Sequence, residues 1–287
     1  MSDDKYPDES GRRRFVKGVV GSATLATVGA TSASAINPMT SSSGIGGGAT
    51  TFVGIENIAG PAPRGMPMIP VRIENGELKG YWPKVKEVQE GGRTVTIAEE
   101  SLGGQNYSSE WFQYCGVETY PGVEPDADQD NFFRYGPDPP YTWQQEEVES
   151  GNRATVDDFA DYESWSNDIG EKENGKPATV TWRSQGVPDA ETMPAQLLRI
   201  PDEKFEQIKN QSGMASWLDA ASPEGDTFIA WLNKCTHFCC VPGFKSLEGS
   251  ASFGAQNKVY CQCHQSVYEP SSPTELQYTA FPRPESE

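Results

Sequence analysis

A chain of 287 residues is long enough for one large domain or two ordinary ones, and 36% hydrophobic residues can bury a real core, which excludes disorder throughout. Its 41 acidic against 23 basic residues leave a formal charge of -18, which argues against nucleic acid or an anionic membrane surface as a partner. The acid is spread along the chain rather than gathered in a tail, as expected of a halophile protein kept soluble at very high salt, where 1 M ionic strength screens charges to about 3 Å.

The N-terminal stretch ESGRRRFVKGVVGSATLATVGATSASA places Arg12, Arg13, Phe15, Val16 and Lys17 in an order that resembles the twin-arginine export signature, with Gly11 where that pattern usually has Ser or Thr. Residues from Gly18 to Ala35 carry no charge, and Ala33-Ser34-Ala35 offers an A-x-A cleavage site. Residues 1–35 are therefore read as an export signal or, left uncut, a membrane anchor that holds the protein at the outer face of the cell membrane. Twin-arginine export carries folded proteins, so a cofactor inserted before translocation is expected. The Ser/Gly-rich residues 36–51 read as a flexible linker spanning roughly 20 Å root-mean-square.

Beyond the linker, short β-rich runs bounded by Gly and Pro predict an all-β domain over 52–287: TTFVGI, MIPVRIENGELKGYW, RTVTIA, ATVTWRS, QLLRI, DTFIAWL and KVYCQC. Asn75-Gly76 predicts a two-residue type I′ hairpin turn, because both residues tolerate positive φ. Helical pattern is confined mainly to PDEKFEQIKNQ, with Asp202 as its expected cap, and to GMASWLDAA. Residues 101–174 are acidic, aromatic and Pro-rich, and read as a long insertion of loops. Within them Asp126–Asp130 echo a calcium loop, but Asn131 and Pro137 stand where Gly and Glu are needed, so no such site is expected.

The chemistry concentrates near the C-terminus. Both histidines of the chain sit beside cysteines, as Cys235-x-His237 and Cys261-x-x-His264. Two thiolates and two imidazoles suit zinc or an iron-sulfur cluster. Zinc knuckles favour paired cysteines two to four apart, whereas each short pair here is one Cys with one His.

CTHFCC and CQCHQSVY closely resemble the two cluster loops of the Rieske family, and KPATVTWRSQGVP resembles a strand preceding them in cytochrome bc-type members. The resemblance implies a Rieske-type antiparallel β-sandwich with a cluster-binding subdomain at about 226–275. It implies a 2Fe-2S cluster with Cys235 and Cys261 on one iron and His237 and His264 on the other, and a disulfide between Cys240 and Cys263. Ser266 and Tyr268 would place hydroxyls on cluster and ligand sulfurs, raising the potential. The implied function is electron transfer: an electron and proton taken from quinol at His237 or His264, in complex with a cytochrome b-like membrane subunit, and passed to a downstream cytochrome or blue-copper protein. The protein would be the electron-transfer subunit of a quinol oxidoreductase, not catalytic alone. Cys239 departs from the family pattern, which has Gly there. The leftover Cys115 and Cys239 either pair as a second disulfide or stay as buried thiols. The family's proline loop is expected at Phe281–Pro284; Gly60–Pro63 is similar in wording but lies far upstream and reads as a turn. Two alternatives stand: the electron-transfer subunit of an exported molybdenum oxidoreductase of the arsenite-oxidase type, and an exported structural zinc protein.

Overall fold

In the computed structural model of the protein, the residues described are 47–90, 92–222 and 227–284; the export signal and most of the linker lie outside them. Chain order is β1 (Ala49–Ala59), β2 (Met66–Ile69), β3 (Val71–Glu74), β4 (Glu77–Gly80), β5 (Val85–Glu90), β6 (Arg93–Leu102), β7 (Gln105–Ser108), β8 (Arg134–Tyr135), α1 (Thr142–Glu147) and β9 (Lys176–Trp182). It continues with β10 (Met193–Arg199), α2 (Asp202–Ser212), α3 (Ala215–Ala221), β11 (Phe228–Leu232), β12 (Gly243–Phe244), β13 (Val259–Cys261) and β14 (Ser266–Thr279). Among the described residues strand outweighs helix, 37% against 20% with 3-10 turns included, and the sheets are antiparallel with a half-barrel curvature. Nine strands run in the order β12-β13-β14-β1-β2-β11-β10-β9-β8, beside a β3-β4 hairpin and a β5-β6-β7 meander.

β1 lies between β14 and β2, and the burial of Phe52, Val53 and Ile55 shows that both of its faces are covered, Phe52 by Trp111 and Tyr278. The strand begins at Ala49, three residues inside the stretch read as linker. Its partner β14 was not visible in the sequence because Pro270 and Pro273 break the pattern. The structure absorbs them in a register shift: Ile55 faces Pro273 while the next residue, Glu56, faces Glu269. A proline without an N–H is tolerated in a strand at such a bulge. Asn75 and Gly76 take φ of 54° and 84° in the β3-β4 turn, as their sequence predicts. Asp202 is the first residue of α2 and not its cap; Pro201 holds the cap position with extended backbone, and Asp202 and Glu203 instead complement the helix dipole.

Residues 101–174 are loop-rich, with short 3-10 turns, yet they do not lie outside the core. Trp111, Phe112, Tyr114, Phe133, Tyr141, Trp143 and Phe159 are buried in the same cluster as Trp182, Trp217 and Trp231. Phe112 and Trp82 meet the Trp182 ring edge-on at 5.2 and 5.5 Å, a geometry that suits aromatic quadrupoles. The acidic stretch is organised by one buried cation. Arg183 donates from Nε to the Gly122 carbonyl (2.6 Å), from Nη1 to Asn131 Oδ1 (2.5 Å) and from Nη2 to the Glu124 carbonyl (3.0 Å), and it stacks 3.8 Å over Trp82. Asp130 pairs with Arg134 and Arg153. The chain around the discarded calcium motif thus wraps an arginine.

Candidate metal centre

Two loops at one end of the long sheet carry the cysteines and histidines. The first leaves β11 and returns into β12. Its base is closed by Trp231 Nε1 donating to Asn233 Oδ1 (3.2 Å) and Asn233 Nδ2 donating to the Pro242 carbonyl (2.9 Å). Within it Cys239 N–H bonds the Cys235 carbonyl (3.0 Å) and Cys235 N–H bonds the Cys240 carbonyl (2.8 Å). That winding puts Cys239 at φ 60°, a left-handed position where Gly is the usual choice. The second loop is the β13-β14 turn, closed by the Cys261 and Ser266 pair and by Gln265 N–H on the Cys261 carbonyl (2.8 Å).

Four of the six cysteines form disulfides. Cys240 joins Cys263, tying the two loops with Cα atoms 6.8 Å apart, and Cys115 joins Cys239 with Cα atoms 5.2 Å apart. Cys235 and Cys261 stay free and buried. The rings of His237 and His264 lie edge to face with centroids 4.8 Å apart. Phe238 covers both, at 4.4 and 5.0 Å, while being 65% exposed itself. Sulfur therefore faces the interior and imidazole the surface.

The electrostatics of the free thiols are asymmetric. Cys235 is pulled down to about 5, chiefly because the Cys261 thiol donates a hydrogen bond to it; burial opposes this, and Tyr268 Oη, 3.1 Å away, and the His237 and Phe238 N–H groups assist. Cys261, as the donor of that bond, is pushed up, with burial adding to the rise. Tyr268 Oη also accepts from Thr236 N–H at 3.2 Å.

The donor set fits a metal centre. His237 Nδ1 is buried without a hydrogen-bond partner among the described residues, a costly state for a polar atom unless it ligates. The sulfurs of Cys240, Cys261 and Cys263 also lie within 4.8 Å of one another, but two of them are spent on a disulfide, so a three-cysteine site would require its reduction.

The structure corrects the expected cover of this site. Phe281–Pro284 packs elsewhere: Phe281 N–H bonds the Gln113 carbonyl (2.9 Å) and Arg283 pairs with Glu124 (2.7 Å). The segment against the two loops is residues 60–64, read from sequence as a mere turn. Ala62 N–H donates to Ser266 Oγ (3.1 Å), and Thr236 Oγ1 donates to the Arg64 carbonyl (2.7 Å). Gly60 has φ 84° and sits so close that a Cβ would fall 2.5 Å from the Gln265 carbonyl oxygen. The reason is topological: β1 runs antiparallel to β14 until Ala59 faces Val267, so the chain leaves β1 at the second loop. Sequence distance hid this neighbour. Tyr114, whose hydroxyl bonds the Lys234 carbonyl at 2.9 Å, is a second support that the sequence did not reveal.

No protein-family model, curated protein or solved structure matches the chain. Among the described residues, no helix is long and apolar enough to cross a membrane.

Proposed function

We propose that the protein is a Rieske-type electron-transfer subunit, with the antiparallel sheets as its Rieske-type sandwich and the β12–β14 end as its cluster-binding part. One observation carries the reading: two buried free thiols in mutual contact lie beside two imidazoles, one with an orphaned buried nitrogen. Cys235 and Cys261 would hold one iron of a 2Fe-2S cluster and His237 and His264 the other; when bound, such a cluster supplies one-electron redox chemistry at a potential raised by neutral imidazole ligation.

The chain's own residues then have definite tasks. Tyr268 Oη and the loop N–H groups draw charge from the Cys235 sulfur. Ser266 is buried under residues 60–64, with its oxygen accepting from Ala62 so that its O–H is left to donate towards the centre. His264 is the exposed imidazole and His237 is partly buried, so His264 is the group offered to quinol, taking its proton on the ring nitrogen that does not ligate. Phe238 lies 5.0 Å from its ring, and Phe238 and Val241 of the first loop, with Ile58, Pro61 and Pro63 of the chain leading into and along the covering segment, are exposed apolar residues. In a chain of charge -18, such a patch suits an apolar seat on a cytochrome b-like membrane partner. The electron would leave to a downstream cytochrome or blue-copper protein, with the N-terminal segment as anchor at the outer face of the membrane.

The test is electron paramagnetic resonance on purified protein before and after ascorbate, then dithionite. A rhombic signal of mixed Cys/His ligation that appears with ascorbate is expected. A signal only with dithionite would refute the high-potential role, and a silent protein with stoichiometric zinc would refute the redox reading.

A further inference from the structure

Two cations, the buried Lys234 and the half-buried Arg64, pack against the first loop, and electron transfer gives neither a task. Arg64 follows the covering segment and turns its guanidinium inward, 3.9 Å from the Tyr278 ring centroid, 4.4 Å from that of Tyr114 and 5.6 Å from that of Phe52. Its Nη1 is buried without a hydrogen-bond partner among the described residues. Lys234 immediately precedes Cys235. Its buried side chain ends on a neutral group, the Tyr120 hydroxyl (2.7 Å), with the ammonium 4.6 Å from that ring.

Both cations are wired to the first loop by short paths. The Arg64 carbonyl accepts from Thr236, next to Cys235. Tyr114, which the guanidinium stacks on, donates its hydroxyl to the Lys234 carbonyl. Only Tyr114 therefore separates the guanidinium from the backbone at Lys234 and Cys235. The acidic groups acting on the same cage are Glu110 and Glu118, through Tyr278.

We propose that Arg64 and Lys234 form a cationic floor beneath the candidate centre that raises its reduction potential against the protein's overall negative charge. This rests on the reading of the site as a 2Fe-2S centre. Accepting one electron makes the site one unit more negative. A fixed cation in an aromatic-walled position stabilises that added charge, opposed nearby by the buried Glu110 and half-buried Glu118, while salt screens the solvent-exposed acids far more than it screens the packed cations. Aromatic faces hold such cations without neutralising them, whereas a carboxylate partner would cancel the effect.

The experiment is a mediated redox titration of the full chain in about 1 M KCl, where surface charge is screened beyond about 3 Å, read by electron paramagnetic resonance. Dithionite dissociates into two SO2 radical anions, each of which supplies one electron to one protein molecule and ends as sulfite, so one Fe(III) of the proposed cluster would become Fe(II) with no bond made or broken in the protein. Wild type, Arg64→Gln, Lys234→Gln and the charge-keeping Arg64→Lys and Lys234→Arg are compared. Each Gln variant is expected to keep the rhombic spectrum with a midpoint lower by at least 59 mV, a tenfold change in a one-electron equilibrium, while the charge-keeping variants stay near wild type. Unmoved midpoints in the Gln variants overturn the inference and leave the site reading intact. Equal drops in Gln and charge-keeping variants also overturn it, since packing would then be the cause. A wild type lacking the mixed Cys/His signal refutes the site reading itself. The two cations occupy different aromatic settings, so if one variant fails to fold the other still decides.

Discussion

Tyr268 is the residue on which most of the site's internal bonding converges. Fully buried, it donates to Cys235 Sγ and accepts from Thr236 N–H, so one phenol fixes both the sulfur of a proposed ligand and the backbone beside it. Tyr268→Phe leaves the Thr236 N–H unpaired, a loss of about 1–3 kcal/mol for a buried donor, and removes one donor from the sulfur. The expected outcome is a folded protein with a Tm lower by several degrees, an unchanged rhombic spectrum and a lower midpoint; an unaltered midpoint would show that the hydroxyl serves packing alone. At this scale the sequence was most legible for the clustering itself: the Cys and His pairs it singled out do come together on two neighbouring loops. It was silent about Arg64 and Tyr114, whose side chains are ordinary and whose partners lie 120 or more residues away.

The first loop is held from outside by elements far away in sequence. Cys239 replaces the conformational freedom of Gly with a covalent tie: its left-handed backbone is retained by a disulfide to Cys115, 124 residues earlier. Breaking a cross-link over such a separation costs about 5 kcal/mol on the chain-entropy account, and Cys115→Ser should lower Tm accordingly while leaving Cys239 strained. Adding Cys239→Gly to that variant should recover about 1 kcal/mol by relieving the left-handed position; calorimetry that finds the double variant no more stable would contradict this account of the loop. The opposite side of the site is set by Gly60. In Gly60→Ala a methyl would meet the Gln265 carbonyl at a left-handed position, so residues 60–64 must lift from the loop; Tm is expected to fall by the few degrees that about 1–2 kcal/mol represents, and the proposed cluster's iron to be lost to a chelator several-fold faster. β9 was legible in the sequence because Ala178, Val180 and Trp182 are buried while Thr179 and Thr181 between them are not, which imposes period two. Residues 101–174 were not, because aromatic side chains on 3-10 turns fill a core without any period.

For the molecule as a whole, the buried aromatic interior has a consequence at high pH. Tyr107, Tyr114, Tyr135, Tyr141, Tyr268 and Tyr278 are all held well above the usual tyrosine range, burial being the largest cause in each, and Tyr135 is raised further by donating to Asp158 at 2.7 Å. Tyr81 is pushed up to about 12 by burial and by its bond to Glu100. The folded chain keeps these protons where the unfolded chain releases them, so the stability they contribute is fully present below about pH 10 and is lost as pH rises through the folded values. Each such group contributes a slope of about 1.36 kcal/mol per pH unit. Six together approach about 8 kcal/mol per unit, comparable to the whole stability of a typical domain at about 5–15 kcal/mol. Unfolding is therefore expected within one to two units above about pH 10, with tyrosinate absorbance and loss of circular dichroism rising in one cooperative step, later in molar salt, where the self-repulsion of a chain already at -18 is screened. A gradual tyrosinate curve centred near pH 10, with the dichroism intact, would mean that these hydroxyls reach water in the folded protein, and that the tight aromatic packing which joins residues 101–174 to the sheet is looser than described.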